Sequence, residues 1–398
     1  MWIDTDRAFQ DFCQQALAHP ELTIDLEFQG EGRYAPLVCL VQLGLRQAFV
    51  AVDPFRVNIA PLEAVLTSPR VRKIFHAGGQ DLALLRRETG AVPVNVFDTQ
   101  IAAAFLGYGE AIGYAALAQR FAKVSLSKKH QFTDWTRRPL LPEQLEYALN
   151  DVRYLFPVYD GLLQQLERHG RLDWALDACA DAAAQAVRVR EAGQEYLKIG
   201  KLASLSRREL AVLRELCQWR EMAARSRNRP VGAILNDDVA RQIAYMLPKS
   251  EAALRQVRGA NNLSRELVAE ILDVIQQALA LPESEWPEAV AVREHDPALD
   301  GLATLLGAVV RLRAGALDLS PSLLATRDDL LKFAGWVLQG SPPDEAEGLP
   351  LLQGWRRTVA GELLLDLVAG KALLEIAPTA PGALRIVTPD ASSSERKA

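Results

Sequence analysis

The sequence predicts an α/β domain built on a mixed sheet, followed by two all-helical domains. Short runs of alternating apolar and polar side chains early in the chain are typical of strands, and strand-like and helix-like segments then alternate. Beyond Pro142 strand signals nearly vanish. The chain has 398 residues, 49% hydrophobic and 24% charged, which is ordinary globular composition and enough for two or three domains.

The first strands should be antiparallel. Residues 22–28 alternate apolar and polar side chains, as a half-buried strand does, and Gly30 and Gly32 mark a turn after them. Further strand-like runs follow at 38–43 and 48–52. Strands joined by such short connections pair antiparallel.

The next segments alternate in type. Residues 71–76 and 92–97 are predicted strands, and residues 79–88 and 99–106 are predicted helices. Strand-helix-strand alternation implies parallel crossovers. Antiparallel strands followed by such units resemble the order of RNase H-like folds, so we expect an RNase H-like domain with helices flanking its sheet.

The remainder of the chain is expected to be helical. An Ala-rich helix over 174–189 leaves the first domain, and Ser206 with Glu209 has the spacing of a capping box at a helix start. After a Pro- and acid-rich boundary, a second helical block is predicted over about 299–376. The polar end, PDASSSERKA, is expected to be disordered.

Charge and composition exclude several classes of protein. The net charge of −5 argues against a protein that coats nucleic acid through its overall field. A nucleic-acid partner would meet a local surface, since residues 201–280 carry thirteen Lys/Arg against nine Asp/Glu. The apolar runs are too short for a membrane helix and the N-terminus lacks the basic start of a signal peptide, so we expect a cytoplasmic location. The four cysteines form no CxxC pair.

Two carboxylates stand out on the first strand. Asp25 and Glu27 are separated by one residue, so both side chains should emerge on one face, while Ile24 and Leu26 take the other. Two acids this close repel each other, and burying both would raise a pKa or require a cation. A solvent-facing pair of acids is the ordinary alternative.

Two further signals are weak when taken singly. Tyr147 and Asp151 lie four residues apart and should share one face of a helix. Asp81 falls in the first turn of a predicted helix, where a carboxylate also simply complements the helix dipole. No GxxxxGK[ST], GxSxG, HExxH or GxGxxG motif is present, so the acids are the only credible catalytic set.

The order of these signals carries a resemblance to a known family. The chain resembles the tyrosine subclass of the DEDD exonuclease superfamily in the order of three motifs. These are a DxE strand, an Asp that opens a helix about fifty residues later, and YxxxD on a later helix. Five sequence segments are similar to those of the ribonuclease D family: TIDLEF, IFHAGGQDLALL, VFDTQIAAAFLG, FTDWTRRPL and LEYALNDVRYL. The histidine subclass is disfavoured because Glu146 stands where it would have His.

The resemblance implies a 3'-to-5' exoribonuclease that uses two divalent metal ions, Mg²⁺ or Mn²⁺, to hydrolyse phosphodiesters. It implies trimming of the 3' ends of tRNA precursors and other small structured RNAs, with release of nucleoside 5'-monophosphates. The implied metal ligands are Asp25, Glu27, Asp81 and Asp151, with Asp25 bridging the two ions. Carboxylate oxygens suit these hard cations. Tyr147, with an ordinary pKa of about 10, is better suited to orienting the water than to removing its proton.

Several other residues are candidate substrate contacts, each with an ordinary structural alternative. Phe28 could stack on the terminal base but alternates with core positions. His76 could touch substrate or close hydrogen bonds at a strand end. Lys128 and Arg137 could meet phosphates or form a solvated face. Asp98 matches an aspartate of the family and is expected to support the site rather than bind metal.

The helical half resembles a second family. The segment that contains Trp219, Arg220 and the motifs NRP and ILNDD resembles an HRDC domain. Arg220 and Arg229 are candidate phosphate contacts. A later block containing TRDDLLKFAGW resembles a degenerate second HRDC-like domain. The predicted division is as follows: exonuclease domain 1–170, helical linker 171–200, HRDC domain 201–283, second HRDC-like domain 296–378 and disordered tail 379–398.

Two alternative functions compete with this prediction. A DNA-directed 3'-to-5' exonuclease would share the metal set, although no polymerase or helicase segment follows. A non-catalytic RNA-binding scaffold would keep the fold without the chemistry, but all four acids and the tyrosine are in place. The chain is expected to act as a monomer.

Overall fold

The computed structural model describes residues 1–127, 129, 133–188, 193–289, 296–341, 343–376 and 384–387. Contacts divide these residues into two compact units. Unit 1 contains the described parts of 1–27, 39–187 and 295–398, and unit 2 contains those of 28–38 and 188–294.

Among the described residues, a six-stranded mixed sheet forms the centre of the N-terminal part. Its strands are β1 Trp2–Ile3, β2 Glu21–Gln29, β3 Leu37–Leu45, β4 Ala48–Val52, β5 Arg72–Phe75 and β6 Val96–Asp98. Their order across the sheet is β1-β4-β3-β2-β5-β6. β3 and β4 are antiparallel, whereas β1–β4, β2–β5 and β5–β6 are parallel. The predicted mixed sheet is confirmed.

Two strands differ from the prediction. β1 was not predicted, because two residues are too few to show a period. β6 begins at Val96, not at residue 92 as predicted. Pro93 has no N–H to donate to a neighbouring strand, which explains why the ladder starts after it.

Helices flank this sheet. They are α1 Asp6–Leu17, α2 Glu63–Leu66, α3 Gly79–Thr89, α4 Thr99–Ala104, α5 Tyr114–Phe121, α6 Pro142–Arg153, α7 Leu155–Arg168 and α8 Leu172–Ala186. Close packing depends on Gly161 of α7, where a Cβ atom would come within 2.2 Å of the Phe121 ring. The Ala-rich helix predicted at 174–189 corresponds to α8.

Unit 2 is helical apart from the ends of β2 and β3. Its α-helices among the described residues are α9 Arg207–Arg227, α10 Val231–Ile234, α11 Asp237–Met246, α12 Glu251–Arg255 and α13 Arg265–Ala280. Leu213, Ile243 and Ile271 belong to its buried core. The predicted capping box is present, because Ser206 accepts the N–H of Glu209 while the Glu209 carboxylate accepts the N–H of Ser206.

The C-terminal block packs within unit 1. Its elements are α14 Pro297–Ala316, α15 Pro321–Leu324, α16 Arg327–Leu338, α17 Gly354–Arg356, α18 Glu362–Val368 and the antiparallel strands β7 Leu373–Ile376 and β8 Leu384–Val387. The prediction of helix up to residue 376 was wrong at its end, because Gly370 at φ +71° follows α18 and β7 comes next. The disordered tail predicted at 379–398 is wrong for residues 384–387, because they form β8 and pair with β7. The rest of that tail lies outside the described residues.

Aromatic contacts join this block to the sheet domain. The Trp355 ring lies 4.9 Å from that of Phe105 and stacks on that of Trp174. Arg171 donates to the carbonyl oxygens of Phe105 and Leu317, both at 2.7 Å. In the part of the chain that the structure describes, we find no helix both long enough and apolar enough to cross a bilayer.

Candidate metal centre

β2 presents its two acids on one face, as strand alternation predicts. Ile24 and Leu26 are buried on the opposite face of the strand, whereas Asp25 and Glu27 are half-buried. The strand sits inside the sheet between β3 and β5, so the two carboxylates project from a fixed backbone.

A third acid reaches this pair from α6. One carboxylate oxygen from each of Asp25, Glu27 and Asp151 lies within 4.8 Å of the other two. Tyr147 lies one helical turn before Asp151, and its ring is 6.2 Å from that of the buried Trp135. Residues far apart in sequence thus meet at one place.

Asp81 lies near these acids but is not a member of that close group. It is buried in the first turn of α3, and this burial, followed by the charges of Asp25 and Asp98, raises its pKa. Its own charge in turn contributes to raising the pKa of Glu27. Asp81 is therefore electrostatically coupled to the centre.

Burial raises the pKa of every acid in the group, and repulsion from neighbouring acids raises it further for Glu27 and Asp151. Burial raises the pKa of Asp25 to about 7 and, together with the charge of Asp25, that of Asp151 to about 9. Burial and the charges of Asp25, Asp151 and Asp81 raise the pKa of Glu27 to about 10. Protons or cations are needed to make these groups compatible.

The donor set fits divalent cations. All three close ligands are carboxylates, which Mg²⁺ and Mn²⁺ prefer over nitrogen or sulfur. Oxygen ligands bind such ions at about 2.0–2.1 Å, so donors on opposite sides of one ion lie about 4 Å apart, a separation that fits within the span of the trio.

The tyrosine of the YxxxD pair is kept neutral by its surroundings. Burial, followed by the charges of Asp151 and Glu27, raises the pKa of Tyr147 above its ordinary value. A cavity of about 500 Å³ opens beside it and Asp151. Its lining residues are Leu126, Ser127, Pro142, Glu143, Glu146, Tyr147, Asn150 and Asp151.

The candidate substrate contacts differ in their surroundings. Phe28 is half-buried, and the Nδ1 atom of the partly buried His76 lies 2.9 Å from the Thr99 hydroxyl oxygen. Arg137 is exposed and pairs with Asp134 at 3.1 Å. Lys128 lies outside the described residues.

The two HRDC arginines have opposite environments. Arg229 is exposed, just after the end of α9. Arg220 is buried, donates to the Leu235 carbonyl oxygen at 3.0 Å and pairs with Asp237 at 2.7 Å. Its guanidinium group is thus bound inside the module, which argues against the phosphate contact expected from its charge.

Sequence reasoning missed three side chains around the centre. Tyr114 donates to the carbonyl oxygen of Asn150 at 2.8 Å, and burial, followed by the charges of Asp151 and Asp25, raises its pKa. Trp135 and Gln42 are buried with side-chain nitrogen atoms that have no partner among the described residues. A glutamine within the apolar run LVCLVQLGL was the available signal for the last of these.

Known protein families match two parts of the chain. A 3'-5' exonuclease family matches residues 1–167, and the HRDC domain family matches residues 209–275. The fold and the acid cluster therefore define a DEDD-type 3'-5' exonuclease with an attached HRDC domain.

Relatives define the family more narrowly. The chain is 35% identical to ribonuclease D of Acidiphilium cryptum over 376 residues, covering 94% of each chain. It is 34% identical to ribonuclease D of Pseudomonas paraeruginosa, covering 92% of this chain and 96% of the relative. The crystal structure of Escherichia coli RNase D superposes with a TM-score of 0.83 at 28% identity, covering 93% of this chain and 98% of that one.

The chain belongs to the ribonuclease D family. Its activity is that of a 3'-to-5' exoribonuclease, a hydrolase, as the resemblance of its motifs implied.

Proposed function

We propose that Asp25, Glu27, Asp81 and Asp151 hold two divalent cations, Mg²⁺ or Mn²⁺, for RNA hydrolysis. When bound, such a pair of ions activates water and stabilises charge on the phosphate and on the leaving 3' oxygen. The observation that carries the proposal is the meeting of Asp25, Glu27 and Asp151 within 4.8 Å. Asp81 completes the set from the start of α3.

The protein's own groups divide the remaining work. Asp25 would help to hold both ions, because its carboxylate is close to Glu27 and Asp151 and coupled to Asp81. Tyr147 orients the attacking water through its hydroxyl group. It does not act as the base, since its pKa lies above the ordinary value of about 10.

The proposed substrates are the 3' ends of tRNA precursors and other small structured RNAs, and the products are nucleoside 5'-monophosphates. The Escherichia coli relative is described as an exoribonuclease involved in structured RNA processing. The cavity of about 500 Å³ beside Tyr147 and Asp151 is of the size that small ligands occupy and could receive the terminal nucleotide.

The outer contacts are proposed from exposure and charge. Arg137 and Arg229, both exposed, are the favoured phosphate contacts among the described candidates. Phe28 and His76 remain candidate contacts to the terminal nucleotide. We keep the domain division at 1–170, 171–200, 201–283 and 296–378, and propose a cytoplasmic monomer.

A digestion experiment tests the proposal. An RNA oligomer labelled at its 5' end and a DNA oligomer of the same sequence are incubated with the full chain and Mg²⁺, Mn²⁺ or EDTA. We expect a ladder of RNA shortened one nucleotide at a time from the 3' end with either cation, and none with EDTA. Mass spectrometry of the small products should detect nucleoside 5'-monophosphates.

Three results would contradict it. Digestion that persists in EDTA would show that hydrolysis does not require metal ions. Faster digestion of the DNA oligomer than of the RNA oligomer would indicate that DNA is the substrate. An RNA that is retarded on a native gel but never shortened would indicate a binding scaffold.

A further inference from the structure

Gln42 is a polar side chain in an unusual place. It lies in the middle of β3, and its side chain is fully buried. Neither its Nε2 nor its Oε1 atom has a hydrogen-bond partner among the described residues. A buried polar group without a partner costs about 1–3 kcal/mol, so its presence calls for a role other than packing.

Strand pairing places Gln42 beside Asp25. β2 and β3 are neighbours, and the connection over 30–36 is too short for a parallel crossover, so they run antiparallel. The Thr23 hydroxyl donates to the Gly44 carbonyl oxygen at 3.3 Å, and a Cβ atom on Gly44 would meet the same hydroxyl. Thr23 and Gly44 are therefore opposite each other. Two residues further along, Asp25 is opposite Gln42 on the same face.

The helix that carries the third acid covers this face. Phe49 of β4 pairs with Gly44 and so shares the face of Gln42. Arg153 of α6 lies over the Phe49 ring, 5.8 Å from its centroid. Asp151 projects from the same helix to the acid trio. Gln42 is thus enclosed between the sheet and α6, next to the metal-binding group.

We propose that Gln42 is a positioning residue for Asp25. In the metal-loaded enzyme its carboxamide N–H donates to one carboxylate oxygen of Asp25 and leaves the other oxygen directed at the cations. The inference rests on the metal site proposed above.

The reach and chemistry of the pair fit this role. The Cβ atoms of directly opposed residues lie about 4.5–5.5 Å apart, which the two methylenes of a glutamine can span. An ionised carboxylate only accepts hydrogen bonds, and the carboxamide nitrogen supplies two donors. Partners that orient a metal ligand typically contribute about 10–100-fold to metal affinity.

Binding of Mn²⁺ to the full chain tests the proposal without relying on activity. Gln42→Met keeps the side-chain length and removes both hydrogen-bonding groups. We expect its affinity for Mn²⁺, measured from the electron paramagnetic resonance of free Mn²⁺, to fall about tenfold. Its resistance to urea in EDTA should be unchanged or higher, because an unpaired polar group has been removed.

Thr23→Val is the matched control. It lies on the same face, one residue pair away, and loses a hydrogen bond that does not involve the acids. Its Mn²⁺ affinity should equal that of the wild type. An equal loss of Mn²⁺ affinity in Thr23→Val and Gln42→Met would show that any change in this part of the sheet weakens the site, and would overturn the proposal.

The failure of this inference can be told from failure of the metal site. Wild-type Mn²⁺ affinity in Gln42→Met, with a loss in Asp25→Asn, overturns the role of Gln42 alone. Unchanged affinity in Asp25→Asn overturns the metal site itself. If circular dichroism shows that Gln42→Met does not fold, Gln42→Asn tests the proposal instead, because its carboxamide is one methylene too short to reach Asp25. Weaker Mn²⁺ binding by Gln42→Asn supports the proposal, and wild-type binding overturns it.

Discussion

The carboxylate of Asp98 accepts the backbone N–H of Gly78 at 2.8 Å, immediately before the helix that carries Asp81. The same carboxylate accepts the N–H of Ala77 at 3.0 Å and caps α4 through Gln100. Ala77 has a positive φ of 54°. Asp98 thus ties the start of α4 to the turn that aims α3 at the acid centre, and acts as a support.

Replacing this support should affect the site more than the fold. Asp98→Asn removes one acceptor oxygen, so we expect a loss of about 1–3 kcal/mol in the free energy of unfolding and about tenfold slower RNA hydrolysis. Urea denaturation and single-turnover digestion measure the two effects. Asp296→Asn is the control, because Asp296 also caps a helix, α14, and should leave the rate unchanged. An unchanged rate in Asp98→Asn would contradict the role.

Removing the tyrosine hydroxyl should slow the chemical step. Tyr147→Phe keeps the ring that packs near Trp135 but cannot orient the water, so we expect kcat to fall about 10²-fold with little change in KM. Because the pKa of Tyr147 is raised, its ionisation should not shape the wild-type pH profile below about pH 10. Tyr108→Phe, which loses a bond to Gln165 instead, is the control. A full rate in Tyr147→Phe would refute the assignment.

The metal-free fold should become less stable as the pH rises. The folded chain holds protons on Asp25 up to a pKa of about 7 and on Asp151 up to about 9, whereas unfolded aspartates release theirs near about 3.9. The free energy of unfolding in EDTA should therefore fall between about pH 4 and 9. Urea denaturation at several pH values measures it, and Mg²⁺ at neutral pH should restore stability. A flat dependence would contradict the raised pKa values of the buried carboxyl groups.

The two HRDC arginines should respond oppositely to substitution. Arg229→Ala removes an exposed cation and should weaken RNA binding, reduce its salt dependence by about one ion and leave stability unchanged. Arg220→Ala removes a buried group bonded to Leu235 and Asp237 and should cost about 1.5–3 kcal/mol of stability. Filter binding at several salt concentrations and thermal denaturation measure both. The reverse pattern would show that burial does not decide their roles.

Much of this architecture follows from short-range rules. Asp25 and Glu27 project from the same face of β2 because side chains alternate between the two faces of a strand. The burial of Arg220 was also accessible to sequence reasoning, because it follows the core residues Leu213 and Leu216 at helical spacing, yet its charge suggested a surface. Gln42 could not be placed beforehand, because its neighbour depends on the register of β3 against β2.

Whether the trio of carboxylates binds metal ions can be measured directly by titrating the full chain with Mn²⁺, comparing the wild type with Asp151→Asn. The wild type should bind Mn²⁺ saturably, and Asp151→Asn should bind at least about tenfold more weakly and lose RNA hydrolysis, while remaining folded and more stable in EDTA. Equal Mn²⁺ affinity in the two proteins, or hydrolysis at the wild-type rate in Asp151→Asn, would contradict the account.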